Sequence, residues 1–295
     1  MSSSPSHVAR EIRRQPDAWT QAIDMLPRVV DLLPAPGERV AVLGCGTSWY
    51  MAIAYAALRE AAGQGETDAF AASLAPNRPY DRIVVISRSG TTTEVLRAMA
   101  ATSSPVVGIT AVPGLPVAER ADHAVVLDFA DEQSVVQTLF ASTTLMLLRA
   151  SLGERLEPVI AQARAVLERA DELPAADASQ YSFVGAGWAY GIALEAGLKM
   201  REAAQLWTES YPQLEYRHGP IAIAEPGRAV WAFGDAAPGL AADVAATGAE
   251  FVDDDLDPVA DLVRAQLLAV RRAERLGLDP DRPRHLTRSV VLEDA

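Results

Sequence analysis

Lysine is nearly absent from this chain. Of 26 lysine and arginine residues, only Lys199 is a lysine. Arginine serves wherever a generic positive charge is needed, so a lone lysine marks a place where arginine does not serve. Arginine stays charged and forms no imine, whereas lysine can lose its proton and act as a nucleophile. Cysteine is equally scarce. Cys45 is the only one, which excludes an internal disulfide framework and suits a reducing compartment. No apolar run approaches the about 20 residues of a membrane span, and Met1 to His7 lead into a charged stretch without the apolar core of a signal peptide. A soluble cytoplasmic protein is expected. The net charge of −13 argues against nucleic acid or an acidic membrane as partner, though not against a small anion. There is no Gly-x-Gly-x-x-Gly fingerprint, no Walker loop and no His/Cys/Asp spacing of a metal site, so no cofactor or metal is expected.

What is present centres on Lys199. Glu195, Lys199 and Glu202 fall at i, i+4 and i+7 of one helical stretch and share a face. The rest of that stretch is nearly all Ala, Gly, Leu, Ile and Met, the composition of a buried helix. Three charges on a buried stripe either line a cavity or pair with one another. His218 follows in a Gly-Pro turn, where a near-neutral imidazole can carry protons. His7, His123 and His285 have no motif around them.

The remaining chain reads as two α/β halves. A helix over Asp17 to Leu33, bent at Pro27, is followed by a strand at Arg39 to Leu43, a glycine turn and a helix through Arg59. Strands are predicted at Asp81 to Ile86, Pro105 to Ile109 and Ala124 to Leu127, then helices over Glu132 to Leu152 and Glu154 to Leu173. Past Pro174 the pattern restarts. It has strands at Tyr181 to Val184, Ala229 to Phe233 and Ala249 to Val252, and helices carrying Lys199 and spanning Pro258 to Leu276. Strands alternating with helices imply parallel sheets. The expected segments are an N-terminal helical piece at 1–38, a first domain at 39–153, a connection at 154–178 and a second domain at 179–295.

The first half carries an anion-site pattern. Ser87, Ser89, Thr91, Thr92 and Thr93 crowd the point where a strand meets a helix N-terminus, with Gly90 permitting close approach. Backbone N–H groups and the helix dipole favour a phosphate there. Gly46, Thr47 and Ser48 end the preceding strand on the same edge. Simple capping would need one hydroxyl; this loop has five. The matching turn of the second half, Gly234-Asp235, is acidic and without hydroxyls.

Taken in order, these motifs resemble the sugar isomerase (SIS) family in its tandem two-domain form. They are Gly44-Cys-Gly-Thr-Ser48, Ser87-x-Ser-Gly-x-Thr92, Ser134-Val-Val-Gln-Thr138, Leu194 through Glu202, Glu209 through Pro220, and the tail Pro283 to Glu293. The chain looks similar to the isomerase half of glucosamine-6-phosphate synthase and to stand-alone amino-sugar-phosphate isomerase/deaminases. The resemblance implies two tandem domains, each a parallel sheet between helix layers in a flavodoxin-like arrangement. It implies a sugar phosphate held by Cys45, Gly46, Thr47, Ser48, Ser87, Arg88, Ser89, Gly90 and Thr92, with Gln137, Thr138, Glu195 and Arg288 around the substrate. Glu202 would move a proton between C1 and C2. Lys199 would stabilise charge on the oxygen or form an imine. His218 would open the sugar ring from a neighbouring subunit, so a homodimer is implied.

The chain also departs from the pattern. It is expected to lack the synthase's glutamine-hydrolysing domain. The family's tail lysine is Arg288, a synthase lysine after the Val-Ala-Ser motif is Leu139, and Arg88 and Thr91 replace a glutamine and a glutamate in the phosphate loop. The expectation is a sugar-phosphate isomerase/deaminase acting on an amino-sugar or amine-ketose 6-phosphate. The alternative is a non-catalytic sugar-phosphate-binding regulator, which would need the Ser87 loop but not Lys199, Glu202 and His218 together. An etherase acting on a muramic-type sugar is a third reading.

Overall fold

Short runs rich in valine, isoleucine and leucine build four of the five strands of the first sheet. A computed structural model describes residues 5–292; the Met1–Ser4 start and Glu293 of the tail motif lie outside them. Helix α1 (His7–Val29) comes first. Strand β1 (Val40–Gly44), helix α2 (Thr47–Ala61), strands β2 (Thr67–Ala71) and β3 (Arg82–Ile86) and helix α3 (Thr93–Ala101) follow. Then come β4 (Val106–Thr110), α4 (Pro116–Arg120), β5 (His123–Val126) and α5 (Leu139–Ser151). The five strands are parallel in the order β2-β1-β3-β4-β5, with Val42 beside Val84 and Val84 beside Val107. These three valines are fully buried, as parallel strands covered on both faces require.

The second sheet uses α6 (Glu157–Glu168), β6 (Tyr181–Gly185), α7 (Ala189–Ala204) and β7 (Thr208–Pro212). It is completed by β8 (Ala229–Phe233), α8 (Leu240–Thr247), β9 (Glu250–Val252) and α9 (Pro258–Arg275). Its four parallel strands run β7-β6-β8-β9. Phe183, Trp231 and Phe233 pack ring to ring in its core, and α7 lies against α9. Both sheets start their first helix tightly. A Cβ at Gly44 would stand 2.5 Å from the Ser48 backbone, and one at Gly185 would stand 2.3 Å from the Ala189 carbonyl oxygen.

Two compact units result. One holds the first sheet, with residues 14–156 and the tail from His285; the other holds the second sheet, with residues up to Arg13 and Glu157–Arg284. The tail therefore belongs with the first sheet, not with the second as its place in the chain implied. The cause is backbone bonding: Thr93 N–H donates to the Val290 carbonyl at 3.2 Å, and Leu292 N–H donates to Thr93 Oγ1 at 3.0 Å.

Several elements differ from expectation, most clearly two helix starts and two strands. Helix α1 begins ten residues before Asp17, because the Asp281 carboxylate accepts the N–H groups of His7 and Val8 at 2.7 and 2.9 Å. Helix α5 begins at Leu139 rather than Glu132. The Glu132 carboxylate instead folds back to accept the backbone N–H groups of Thr138, Leu139 and Phe140, capping the helix from a loop. Strands β2 and β7 escaped the sequence pattern. Thr67-Asp-Ala-Phe-Ala and Thr208-Glu-Ser-Tyr-Pro are short edge strands with one neighbour each, where polar residues and proline are tolerated.

Candidate functional site

The loop after β3 is the most hydroxyl-rich point of the first-sheet unit. Ser87 N–H donates to the Ile109 carbonyl at 3.0 Å, which fixes the loop on the sheet's carboxyl edge. Ser87 and Ser89 are buried, and Ser87 Oγ has no hydrogen-bond partner among the described residues. Thr92 occupies the N-cap position of α3, yet its hydroxyl makes no capping bond. Capping thus does not account for these side chains. Gly46 precedes α2, whose first residues, Thr47 and Ser48, are buried on the same edge of the sheet. Cys45 is half-buried. Burial first, and then the Glu94 carboxylate, push its thiol up to about 11, so it stays protonated and is no nucleophile at neutral pH.

Arg88 differs from the sequence picture of a cationic phosphate loop. Its guanidinium is turned inward: Nη1 donates to the Ser134 carbonyl at 3.0 Å and Nη2 to the Arg288 carbonyl at 2.8 Å. Glu132, fully buried, lies 3.8 Å away and offsets its charge. Thr138 lies in the same loop and is buried, with its N–H and hydroxyl both donating to Glu132. Neighbouring Gln137 keeps a buried Nε2 without a partner among the described residues. Arg288 is also committed, its guanidinium pairing with Asp131 at the surface.

The second-sheet unit carries the charged helix. Lys199 is buried, with Nζ 3.4 Å from Glu195 Oε1 and 2.5 Å from Glu202 Oε2. The three charges expected on one stripe of α7 therefore pair with one another. Glu195 is as buried as the lysine, while Glu202 keeps 18% of its side chain exposed. His218 ends a short 3-10 turn (Glu215–His218) and is exposed. At the carboxyl ends of β6 and β8 a cavity of about 420 Å³ opens. Trp188 and the carboxylates of Asp235, Asp254, Asp255 and Asp257 line it. Burial, and then Asp254, Asp255 and Asp235, raise the Asp253 carboxyl. The crevice is thus acidic where its counterpart in the first sheet is rich in hydroxyls. Among the described residues no group of three or more His, Cys, Asp or Glu is placed to hold a metal, and no helix is long and apolar enough to cross a membrane.

Sequence reasoning missed two participants. Ser289 Oγ lies 3.0 Å from Ser89 Oγ and 2.9 Å from Thr91 Oγ1, bringing the tail to the Ser87 loop. Ser289 sat inside a quoted tail motif, but nothing in its spacing pointed to residues 198 and 200 positions away. Glu132 is predicted inside a helix, although a glutamate seven residues before a buried helix start is in reach to cap it.

No family model matches the chain. It is 29% identical over 338 residues to the isomerizing glutamine–fructose-6-phosphate aminotransferase of Methanothermobacter thermautotrophicus, covering 97% of this chain and 57% of that protein. The enzyme of the same description from Gloeobacter violaceus is 29% identical over 319 residues, covering 87% of this chain and 52% of that one. The chain thus spans little more than half the length of these relatives. Among solved structures, the fold matches glucosamine-6-phosphate deaminase from Thermotoga maritima with a TM-score of 0.82 at 24% identity, covering 97% of this chain and 100% of that one. The C-terminal domain of glucosamine-fructose-6-phosphate aminotransferase from Francisella tularensis gives 0.81 at 21%, covering 95% and 99%. The parallel sheets between helices are therefore the fold of these structures, and the sequence is similar to part of the isomerizing aminotransferases. The alignments run through the chain as one piece. They speak for the whole fold and not for its division into two copies of one domain.

Proposed function

We propose that the protein is a sugar-phosphate isomerase/deaminase acting on an amino-sugar or amine-ketose 6-phosphate, with each sheet one sugar isomerase domain. The observation that carries the reading is the buried Ser87 hydroxyl, without a partner among the described residues, beside a Thr92 hydroxyl that makes no capping bond. A buried hydroxyl left unbonded costs about 1–3 kcal/mol, and an anion accepting its hydrogen recovers that cost. Phosphate fits the chemistry best, since the helix N-terminus adds N–H donors and a favourable dipole. The names of the similar proteins point to the same class of ligand.

Glu202 is the proposed base for proton transfer between C1 and C2. It is the partly open member of the α7 stripe, so its carboxylate can reach a reacting carbon while Glu195 stays inside. Lys199 delivers an ammonium donor beside it, which stabilises negative charge developing on a carbonyl oxygen. The exposed imidazole of His218 is proposed to serve ring opening from a second copy of the chain. Incubating the protein with a panel of amino-sugar and amine-ketose 6-phosphates tests the reading. The expected result is aldose–ketose interconversion or amine release for one member, and none for its unphosphorylated analogue. Equal turnover of both would sink the phosphate assignment. Binding without turnover across the panel would leave a sugar-phosphate sensor.

A further inference from the structure

The tail segment Arg288–Leu292 meets the Ser87 loop through hydroxyl side chains as well as through its backbone. Ser89 Oγ donates to Ser289 Oγ, Ser289 and Thr91 share a bond of 2.9 Å, and Thr91 Oγ1 reaches Ser89 Oγ at 3.2 Å. Three hydroxyls thus close a ring in which each gives one hydrogen to the next, and Ser89 Oγ also accepts the Thr91 N–H at 3.3 Å. Such a ring is satisfied without a ligand. Opened toward a single acceptor, it presents three O–H donors, two from the loop and one from the tail. The ring is held in register by Arg88. Its guanidinium grips the Arg288 carbonyl, one residue before Ser289, and the Ser134 carbonyl, while Glu132 offsets its charge. On the other side of Ser289, Thr93 N–H holds the Val290 carbonyl at 3.2 Å. The serine is therefore fixed on both flanks, within hydrogen-bond distance of a loop built for an anion.

We propose that Ser289 is a ligand of the substrate's phosphate, delivered by the tail, and that Arg88 is the positioning residue that holds it there. The inference rests on the phosphate reading of the Ser87 loop. It also gives the buried arginine a role other than binding the anion directly. An inward guanidinium with two carbonyl partners cannot turn to a phosphate without releasing the tail.

Calorimetry on the full chain, with inorganic phosphate and glucosamine 6-phosphate as probes, tests it. Ser289→Ala should weaken both about five- to tenfold through one lost charge-assisted hydrogen bond, and Ser289→Thr should restore binding to within about twofold because the hydroxyl remains. Arg88→Gln should lose a similar factor, and the Arg88→Gln/Ser289→Ala pair should lose no more than either alone, since residues acting through one contact are not additive. A purely structural arginine would give additive losses, and additivity overturns its positioning role. Unchanged or tighter binding by a folded Ser289→Ala chain overturns the ligand role, tightening meaning that the tail competes with the anion. Ser87→Ala separates the two levels. If it weakens phosphate while Ser289→Ala does not, only this inference falls. If neither weakens it, the phosphate reading itself falls. Should Arg88→Gln not fold, the Ser289→Ala and Ser289→Thr pair decides alone.

Discussion

The two sheets start alike and end differently. In each, the first strand leads through a glycine with φ of +53 (Gly46, Gly187) into its first helix, the second strand adds at the edge, and the third and fourth add on the other side. The third strand then decides the chemistry. After β3 come hydroxyls, a helix N-terminus and a buried donor without a partner. After β8 come Gly234 and Asp235, at a crevice lined by carboxylates. Under the proposed function, the first-sheet unit offers an anion donors, while the second-sheet unit surrounds the matching turn with carboxylates. The charges proposed to react lie on α7 of the second-sheet unit, as a lysine between two carboxylates. The lesson is that the strand order of an α/β sheet fixes where a ligand can sit, while a handful of loop residues fix its charge.

The sharpest way to break this division of labour is to silence α7 and leave the β3 loop alone. Glu202→Gln should cut turnover about 10²- to 10⁴-fold, the range of a lost general base, with glucosamine 6-phosphate binding retained in calorimetry. Lys199→Arg should fold and lose turnover as well, because a planar, permanently charged guanidinium cannot replace a point-charge ammonium or form an imine. Unchanged turnover in that variant would return the lysine to a structural ion pair and favour a sensor. The next test copies the acid of one half onto the other. Ser87→Asp should weaken sugar-phosphate binding about 100-fold, as like charges brought together cost several kcal/mol. Retained affinity would mean that the phosphate binds elsewhere.

A third test probes the acidic half through stability. Asp261 is buried, accepts Trp231 Nε1–H at 2.7 Å and Arg264 Nε–H at 2.9 Å, and burial raises its carboxyl from 3.8 to about 6 despite Arg264. The native protein holds a proton in that window which the unfolded chain has lost. The resulting stability is complete below pH 4 and is lost as pH rises through about 6, a slope of up to about 3 kcal/mol. Denaturant unfolding of wild type and Asp261→Asn across pH 4 to 7 should show a fall in stability steeper by up to that amount in the wild type; parallel curves would refute it. The smallest expected effect is Asp235→Ser. A single hydroxyl at the β8 turn should create no second phosphate site, and stoichiometry should stay unchanged, because the surrounding carboxylates remain.

Much of the fold was legible because buried parallel strands are written as apolar runs between glycine turns. Val40 to Gly44, Arg82 to Ile86 and Ala229 to Phe233 lie within a residue or two of where that pattern placed them. The edge strands β2 and β7 were not legible, since Thr67-Asp-Ala-Phe-Ala and Thr208-Glu-Ser-Tyr-Pro carry little apolar signature, whereas the more apolar edge strands β5 and β9 were. At the site, the Ser87 loop and the α7 stripe were visible as local spacings of hydroxyls and charges. Arg88 was misjudged because its partners, Ser134, Glu132 and the Arg288 carbonyl, lie 44 to 200 positions away. No local pattern says whether an arginine points out toward a ligand or in toward carbonyls.

The burial of the only lysine shields its amine from bulky reagents, because Lys199 is 1% exposed. A label from a bulky acylating reagent at Lys199 therefore counts molecules in which α7 has opened. Its rate of appearance reads the local opening free energy of that helix directly. A lysine-specific protease gives the same reading in another form: one cut, two fragments, and only from molecules whose α7 has come undone.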